Sequence, residues 1–189
     1  MPYNAADKRS RLTEAAIDLA YQQGFERTTL AQVAQQAEVP LGNVYYYFKT
    51  REELGEAILE MRAQRLKQAL DSWDKLDSPI ERIVQFVHMT SMSKDVLALH
   101  GCPVGSLCGE LSKVGGSLAE ASTPLLGIPL TWLTSQFEAM GKGGESYGLA
   151  IHLLSALEGA SLLAHNFKDP SLVEHEAARI ENWLMSGCN

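Results

Sequence analysis

The sequence has little that would anchor, cross-link or stretch it. No run of about 18 uncharged apolar residues stands out, so no membrane span is expected, and the opening MPYNAADKRSR lacks the apolar stretch of a secretory signal. These absences predict a soluble, cytoplasmic protein with no membrane partner. The three cysteines, Cys102, Cys108 and Cys188, are few and odd in number, which argues against a disulfide framework and leaves any special cysteine a chemical role. Strand-like alternation persists nowhere, and there is no internal repeat or low-complexity tract. What is present is 46% hydrophobic residues over 189 positions, enough to bury a sizeable core.

A net charge of −7 speaks against a nucleic-acid partner only if the charge is spread evenly. It is not. Residues 1–50 balance five basic groups (Lys8, Arg9, Arg11, Arg27, Lys49) against five acidic ones (Asp7, Glu14, Asp18, Glu26, Glu38), and the remaining 11 basic and 18 acidic residues carry the whole excess.

Apolar spacing predicts helices throughout. Leu12, Ala15, Ala16, Leu19 and Ala20 place a first helix over about 5–23, stopped by Gly24. Thr29 and Gln32 have capping-box spacing and open a short helix to about Gln36. After AEVP, Pro40 suits the first turn of a third helix ending near Phe48, and Thr50 with Glu53 launches a long one to about Trp73. Further helices are expected at about 80–98, 104–113, 124–140, 146–166 and 171–185. The chain therefore reads as all-α, with a compact three-helix unit over 1–50 and longer helices over 51–189.

Two short helices about four residues apart have the dimensions of a helix-turn-helix. In LGNVYYYFKT (41–50), Val44 and Phe48 lie four apart and share a buried face. That leaves Leu41, Asn43, Tyr45, Tyr46 and Tyr47 around the outer arc, where tyrosine hydroxyls reach phosphates and Asn43 or an aromatic edge reaches bases. Gly42 removes a side chain at the point of closest approach. Thr29, at a helix start, offers a hydroxyl and free amides to a phosphate, and Lys49 adds charge at the far end. The alternative is that the tyrosines are plain amphipathic packing residues.

The stretch TTLAQVAQQAEVPLGNVYYYFKTREEL at 28–54 resembles the DNA-binding signature of the TetR family of bacterial regulators, through Thr28, Thr29, Ala34, Ala37, Val39, Gly42, Tyr45, Phe48 and Leu54. The likeness extends upstream into AAIDLAYQQGF. Glu38 replaces the family's usual glycine, Pro40 a small hydroxyl residue and Arg51 a lysine; at Glu38 a non-glycine residue adopts a left-handed backbone at some cost.

The resemblance implies an N-terminal DNA-binding domain followed by a ligand-binding and dimerisation domain, hence a homodimer on a palindromic double-stranded operator, answering to a small-molecule inducer, and not an enzyme. For the dimer face we expect segment 146–166, with its small residues Gly148, Ser155, Ala156, Gly159, Ala160 and Ala164, together with the stripe Leu172, Ala177, Ile180, Trp183 and Leu184, against the alternative that both are internal core. Phe86, Met89, Met92, Val96, Leu107, Trp132, Phe137 and His152 are candidates to line an apolar ligand pocket, though each is also plausible as plain core. In HGCPVGSLCGEL (100–111), Cys102 sits between Gly101 and Pro103 at a helix start, where the dipole lowers a thiol pKa and His100 could assist. This segment is similar to the GC-containing stretch by which some TetR-type repressors sense electrophiles or oxidants; the alternative is an inert buried cysteine. His100, Cys102 and Cys108 match no familiar zinc spacing, and neither metal nor cofactor is expected.

The resulting expectation is a repressor released by a small apolar or electrophilic ligand or by thiol modification. Its rivals are a thiol-dependent helical enzyme using Cys102 with His100, and a protein-binding adaptor.

Overall fold

The structure is a computed structural model that describes the backbone of residues 5–188 and side chains from Asp7 onward. Among these residues there are ten α-helices, one short 3-10 turn at Gly143–Glu145 and no strand. The helices are α1 (Ala5–Gln23), α2 (Leu30–Gln36), α3 (Leu41–Tyr47), α4 (Arg51–Trp73), α5 (Pro79–Met92), α6 (Lys94–His100), α7 (Gly105–Val114), α8 (Ser117–Ala139), α9 (Ser146–Phe167) and α10 (Ser171–Met185).

Two compact units divide them. The first contains residues 1–64 and 106–125, so α7 and the first part of α8 pack with the N-terminal helices. The second contains residues 65–105 and 126–189. Three helices, α4, α7 and α8, are continuous in sequence from one unit into the other.

Local chemistry accounts for most boundaries. Thr29 and Gln32 form the expected capping box in full. At α4, Thr50 Oγ1 accepts from the Glu53 amide (3.1 Å), but the Glu53 carboxylate takes the Lys49 amide (2.7 Å), one residue upstream of the expected partner. Pro40 is the N-cap of α3 rather than its first helical residue. The helix expected over 80–98 is two helices, because Thr90 and Ser93 turn their hydroxyls back on the carbonyls of Phe86 (3.3 Å) and Met89 (2.9 Å) and loosen the turn between them. The helix expected from 124 starts at Ser117. Pro124 and Pro129 each delete one intrahelical bond, yet buried Leu118, Leu125 and Leu133 hold the helix through both.

In the second unit Leu70, Ile83, Val87, Leu133, Phe137, Leu153, Ile180 and Leu184 form one apolar cluster. The Trp132 indole donates to Asp74 (2.9 Å), and Arg82 donates twice to the Leu76 carbonyl (2.9 and 2.7 Å), which satisfies the polar groups of the α4–α5 turn. The apolar stripe of α10 belongs to this core: Ala177, Ile180 and Leu184 are buried, Leu172 packs on a neighbouring cluster, and half-buried Trp183 lies against Phe137 and His152. That corrects its expected place in a dimer face.

The stretch Gly143–Phe167, containing α9, is long and apolar enough by composition to cross a membrane, its most apolar 18 residues having a mean hydropathy of 1.3. It passes because Glu158 is the single Asp, Glu, Lys or Arg within α9. One face of α9 (Ala150, Leu153, Leu157, Ala160, Ala164) is buried in the unit.

Candidate nucleic-acid interface

The helix-turn-helix geometry is set by backbone bonds around Glu38. Val39 N–H reaches back to the Ala34 carbonyl (2.9 Å) and Glu38 N–H to Gln35 (3.2 Å), the Schellman pattern that ends a helix through a left-handed residue. Glu38 supplies it, at φ 53°. An Arg11 guanidinium nitrogen also donates to the Ala37 carbonyl, tying α1 to the end of α2. Pro40 then prevents continuation, and the Asn43 amide bonds to its carbonyl (2.8 Å) to open α3.

Val44 and Phe48 anchor α3 from within, both fully buried. Burial of two such side chains is worth about 1.5–3 kcal/mol each. The Arg9 guanidinium lies 5.3 Å from the centre of the Phe48 ring. With this face fixed, the rest of α3 is turned to solvent: Leu41, Gly42, Asn43, Tyr45 and Tyr46 are exposed and Tyr47 is half-buried. Tyr46 is 78% exposed, its ring edge-on to Tyr47 at 5.1 Å. A tyrosine spending that much ring area on water is not serving its own fold. A side chain at Gly42 would meet nothing within 4 Å, so the fold itself does not demand this glycine. Lys49 is exposed beyond the helix end.

Thr29 is engaged by Gln32. Its amide and hydroxyl both contact the Gln32 side-chain oxygen (2.9 and 3.0 Å), and its hydroxyl accepts from the Gln32 amide (3.2 Å). The residue opens α2 and stays exposed at the helix start.

The candidate ligand-lining residues divide between core and surface. Phe86, Trp132 and Phe137 are core, with the Phe86 and Trp132 rings tilted against each other 6.1 Å apart and Trp73 against both. Met89, Met92, Val96 and His152 face solvent, Met92 at 86% exposure, and Leu107 is buried in the other unit. Spacing alone placed core and surface positions of one helix in the same set.

The expected lowering of the Cys102 pKa is corrected. Its thiol lies 3.0 Å from Glu158 Oε1 and accepts from the Gly105 amide (3.3 Å) at the start of α7. A side chain on Gly105 would collide with the Glu158 carboxylate. Burial first, and then the negative charge of Glu158, push the Cys102 thiol up to about 12 against the lowering by the Gly105 amide. The helix start does act, but it is outweighed. Burial likewise raises the Glu158 carboxyl above the ordinary range. Cys108 is buried with its thiol donating to the Ser122 carbonyl (3.4 Å). Sequence reasoning missed Glu158, although its standing as the only such charge in α9 was a usable signal.

The profile of the family described as bacterial regulatory proteins, tetR family, matches residues 12–58, from the core of α1 through the helix-turn-helix into α4. Over that segment the chain is similar to the tetR family. The HTH-type transcriptional repressor NemR of Escherichia coli K12 is 31% identical over 118 residues, covering 60% of this chain and 57% of NemR. The transcriptional regulator AcuR of Cereibacter sphaeroides is 26% identical over 122 residues, 64% of this chain and 55% of AcuR. The chain thus spans a little over half the length of these curated relatives. A TetR regulator from Legionella pneumophila superposes with a TM-score of 0.84 at 20% identity, covering 96% of this chain and 98% of that one. A crystal structure described as the reduced form of E. coli NemR superposes at 0.80 and 24%, covering 93% and 96%. At these identities the structural likeness shows the shared fold, and the family names describe transcriptional regulators rather than enzymes.

Proposed function

We propose that the protein is a homodimeric transcriptional repressor in which residues 1–50 bind a palindromic operator and residues 51–189 dimerise and regulate. The observation that carries this reading is the outward face of α3: a solvent-turned row of Leu41, Gly42, Asn43, Tyr45 and Tyr46, rigidly backed by Val44 and Phe48. Its hydroxyls suit phosphates, Asn43 suits an adenine edge, and the empty space over Gly42 admits close approach. Tyr47 and Lys49 extend the same contact.

A single small reading head makes too few contacts for specific recognition, and paired heads suit half-sites ~34–36 Å apart. The second copy is assigned to the outward face of α9, where Tyr147, Ile151, Leu162, Leu163 and Phe167 are exposed. Side chains at Gly148 and Gly159 would meet nothing within 4 Å, leaving room for a neighbouring helix.

Release by an electrophilic ligand or by modification of Cys102 is the regulatory half of the proposal. NemR, named a repressor and crystallised in what is described as its reduced form, supports both the sign and a thiol input. In this chain the thiol rests protonated beside Glu158, so attack requires loss of that contact, after which the modified side chain favours a different arrangement of α7.

Fluorescence-anisotropy titration of the duplex upstream of the gene, with a shuffled duplex as competitor, tests the function. The expected result is a preference for the upstream duplex of at least roughly 1000-fold. Equal binding of both duplexes would overturn it.

A further inference from the structure

The turn between α1 and α2 is held from several sides at one residue, Phe25. Its amide donates to Glu110 Oε2 (2.9 Å), and the next amide, of Glu26, donates to Glu110 Oε1 (2.8 Å), so the α7 carboxylate spans two adjacent backbone donors. Its carbonyl accepts from Arg51 at the start of α4, whose guanidinium also lies over the Phe25 ring, 4.7 Å from its centre, and pairs with Glu26 at 3.4 Å. The ring itself is buried. A side chain on Gly55 of α4 would strike both the Phe25 ring tip (3.0 Å) and Leu118 of α8 (2.7 Å), and one on Gly24 would press on Glu110 at 3.1 Å. All of these residues belong to the first unit.

Helices α4 and α7 meet at Phe25, Leu118 of α8 lies beside Gly55, and α4, α7 and α8 run on in sequence beyond this unit. Arg51 and the Phe25 ring are part of the α1–α4 scaffold, whereas Glu110 is the polar link contributed by α7.

We propose that Glu110 is the positioning residue that fixes the α1–α2 turn, and with it the helix-turn-helix, to α7. It holds the turn by accepting two amide hydrogens that no local carbonyl takes up, and it makes operator binding depend on the placement of α7. Cys102 accepts from the first amide of that same helix, so an adduct there acts on α7 directly. The regulatory consequence rests on the repressor reading above; the positioning role does not.

The test compares wild type with Glu110→Gln and Glu110→Ala by amide hydrogen exchange, and by operator titration before and after alkylation with N-ethylmaleimide. Glutamine retains the size but turns a donor toward one of the two amides. Exchange at Phe25 and Glu26 is expected to accelerate roughly tenfold or more in both variants, with α1 and α4 still protected. The affinity ratio between untreated and alkylated protein is expected to collapse toward one at unchanged Cys102 labelling. Unchanged exchange at Phe25 and Glu26 would overturn the positioning role, and an undiminished alkylation response with accelerated exchange would overturn the coupling role. If Glu110→Ala fails to fold, Glu110→Gln decides. A wild-type protein without operator binding would sink the repressor reading alone, since exchange still reports on Glu110.

Discussion

Among the helices that turn large side chains to solvent, α3 and α9 differ in the chemistry they expose. On α3 the exposed set is Tyr45, Tyr46, Asn43 and Leu41 around a glycine, all but the leucine and glycine ending in a group that can hydrogen-bond. On α9 it is Ile151, Leu162, Leu163 and Phe167 with Tyr147, dominated by groups that can only be desolvated, with Leu162 62% exposed and Phe167 70%. Exposed apolar area of the second kind is covered by another apolar surface, and a symmetric copy of the same helix is the economical cover. Polar-tipped aromatics of the first kind fit a wet, charged surface such as a phosphate backbone. Exposure alone does not separate the two roles; what the exposed atoms can bond does.

The largest effect should come from breaking the α9 face. Leu162→Glu is expected to weaken self-association by roughly 100-fold or more, because a carboxylate would be buried near its symmetry mate, while thermal unfolding followed by circular dichroism stays cooperative. Sedimentation velocity at low micromolar concentration would show a monomer; a persistent dimer means that α9 is not the interface. Ala160→Glu makes the contrast. Ala160 is only 6% exposed and lies inside the unit, so this change is expected to unfold the protein rather than split it.

On α3 the expected losses are smaller. Asn43→Ala should weaken operator binding roughly tenfold and flatten base preference at one position of each half-site, the scale of one bidentate base contact. Tyr46→Phe should cost roughly threefold on every sequence, the scale of one hydrogen bond. A panel of single-base operator variants separates the two. Identical profiles for both proteins would place the base contact elsewhere.

Cys102 offers a comparison with an ordinary thiol. With its pKa raised from 9.0 to about 12 by burial and by Glu158, its alkylation by iodoacetamide should keep accelerating past pH 10, where an unperturbed thiol levels off. The sign for stability follows: the protonated thiol is the form the fold favours, so stability is intact below about pH 9 and is lost as pH rises toward 12. Glu158→Gln removes the repelling charge and should speed alkylation at pH 8 by roughly tenfold, equivalent to about one pK unit. An unchanged rate would mean that burial alone sets the thiol.

The smallest effect is at Glu38. A non-glycine residue at φ 53° carries a left-handed strain that glycine does not, so Glu38→Gly should raise stability by about 0.5–1 kcal/mol in urea unfolding, net of the added freedom of the unfolded chain. A loss of stability would show that the Glu38 side chain does more than occupy the turn.

These contrasts also mark what could be read from the sequence. The α2 and α3 boundaries were legible because capping and Schellman geometry act over three to five residues, and Val44 with Phe48 fixed which side of α3 faced out. The α10 stripe was misassigned because apolar periodicity identifies a sticky face without saying whether its own core or a partner covers it. Met92 and Phe86 looked alike for the same reason. Glu158 and Glu110 were invisible as partners: their contacts join residues 56 and 85 positions apart, and no local pattern encodes them. The break at Ser93 depended on hydroxyls competing with the helix, which propensity alone underweights.

Hydroxyl-radical footprinting of the upstream duplex tests the central claim most directly. The account predicts two protected patches related by a two-fold axis, centred one helical turn (about 10 bp) or a multiple apart, both weakened together by Asn43→Ala and by Leu162→Glu. A single patch, or protection that survives both substitutions, would contradict it.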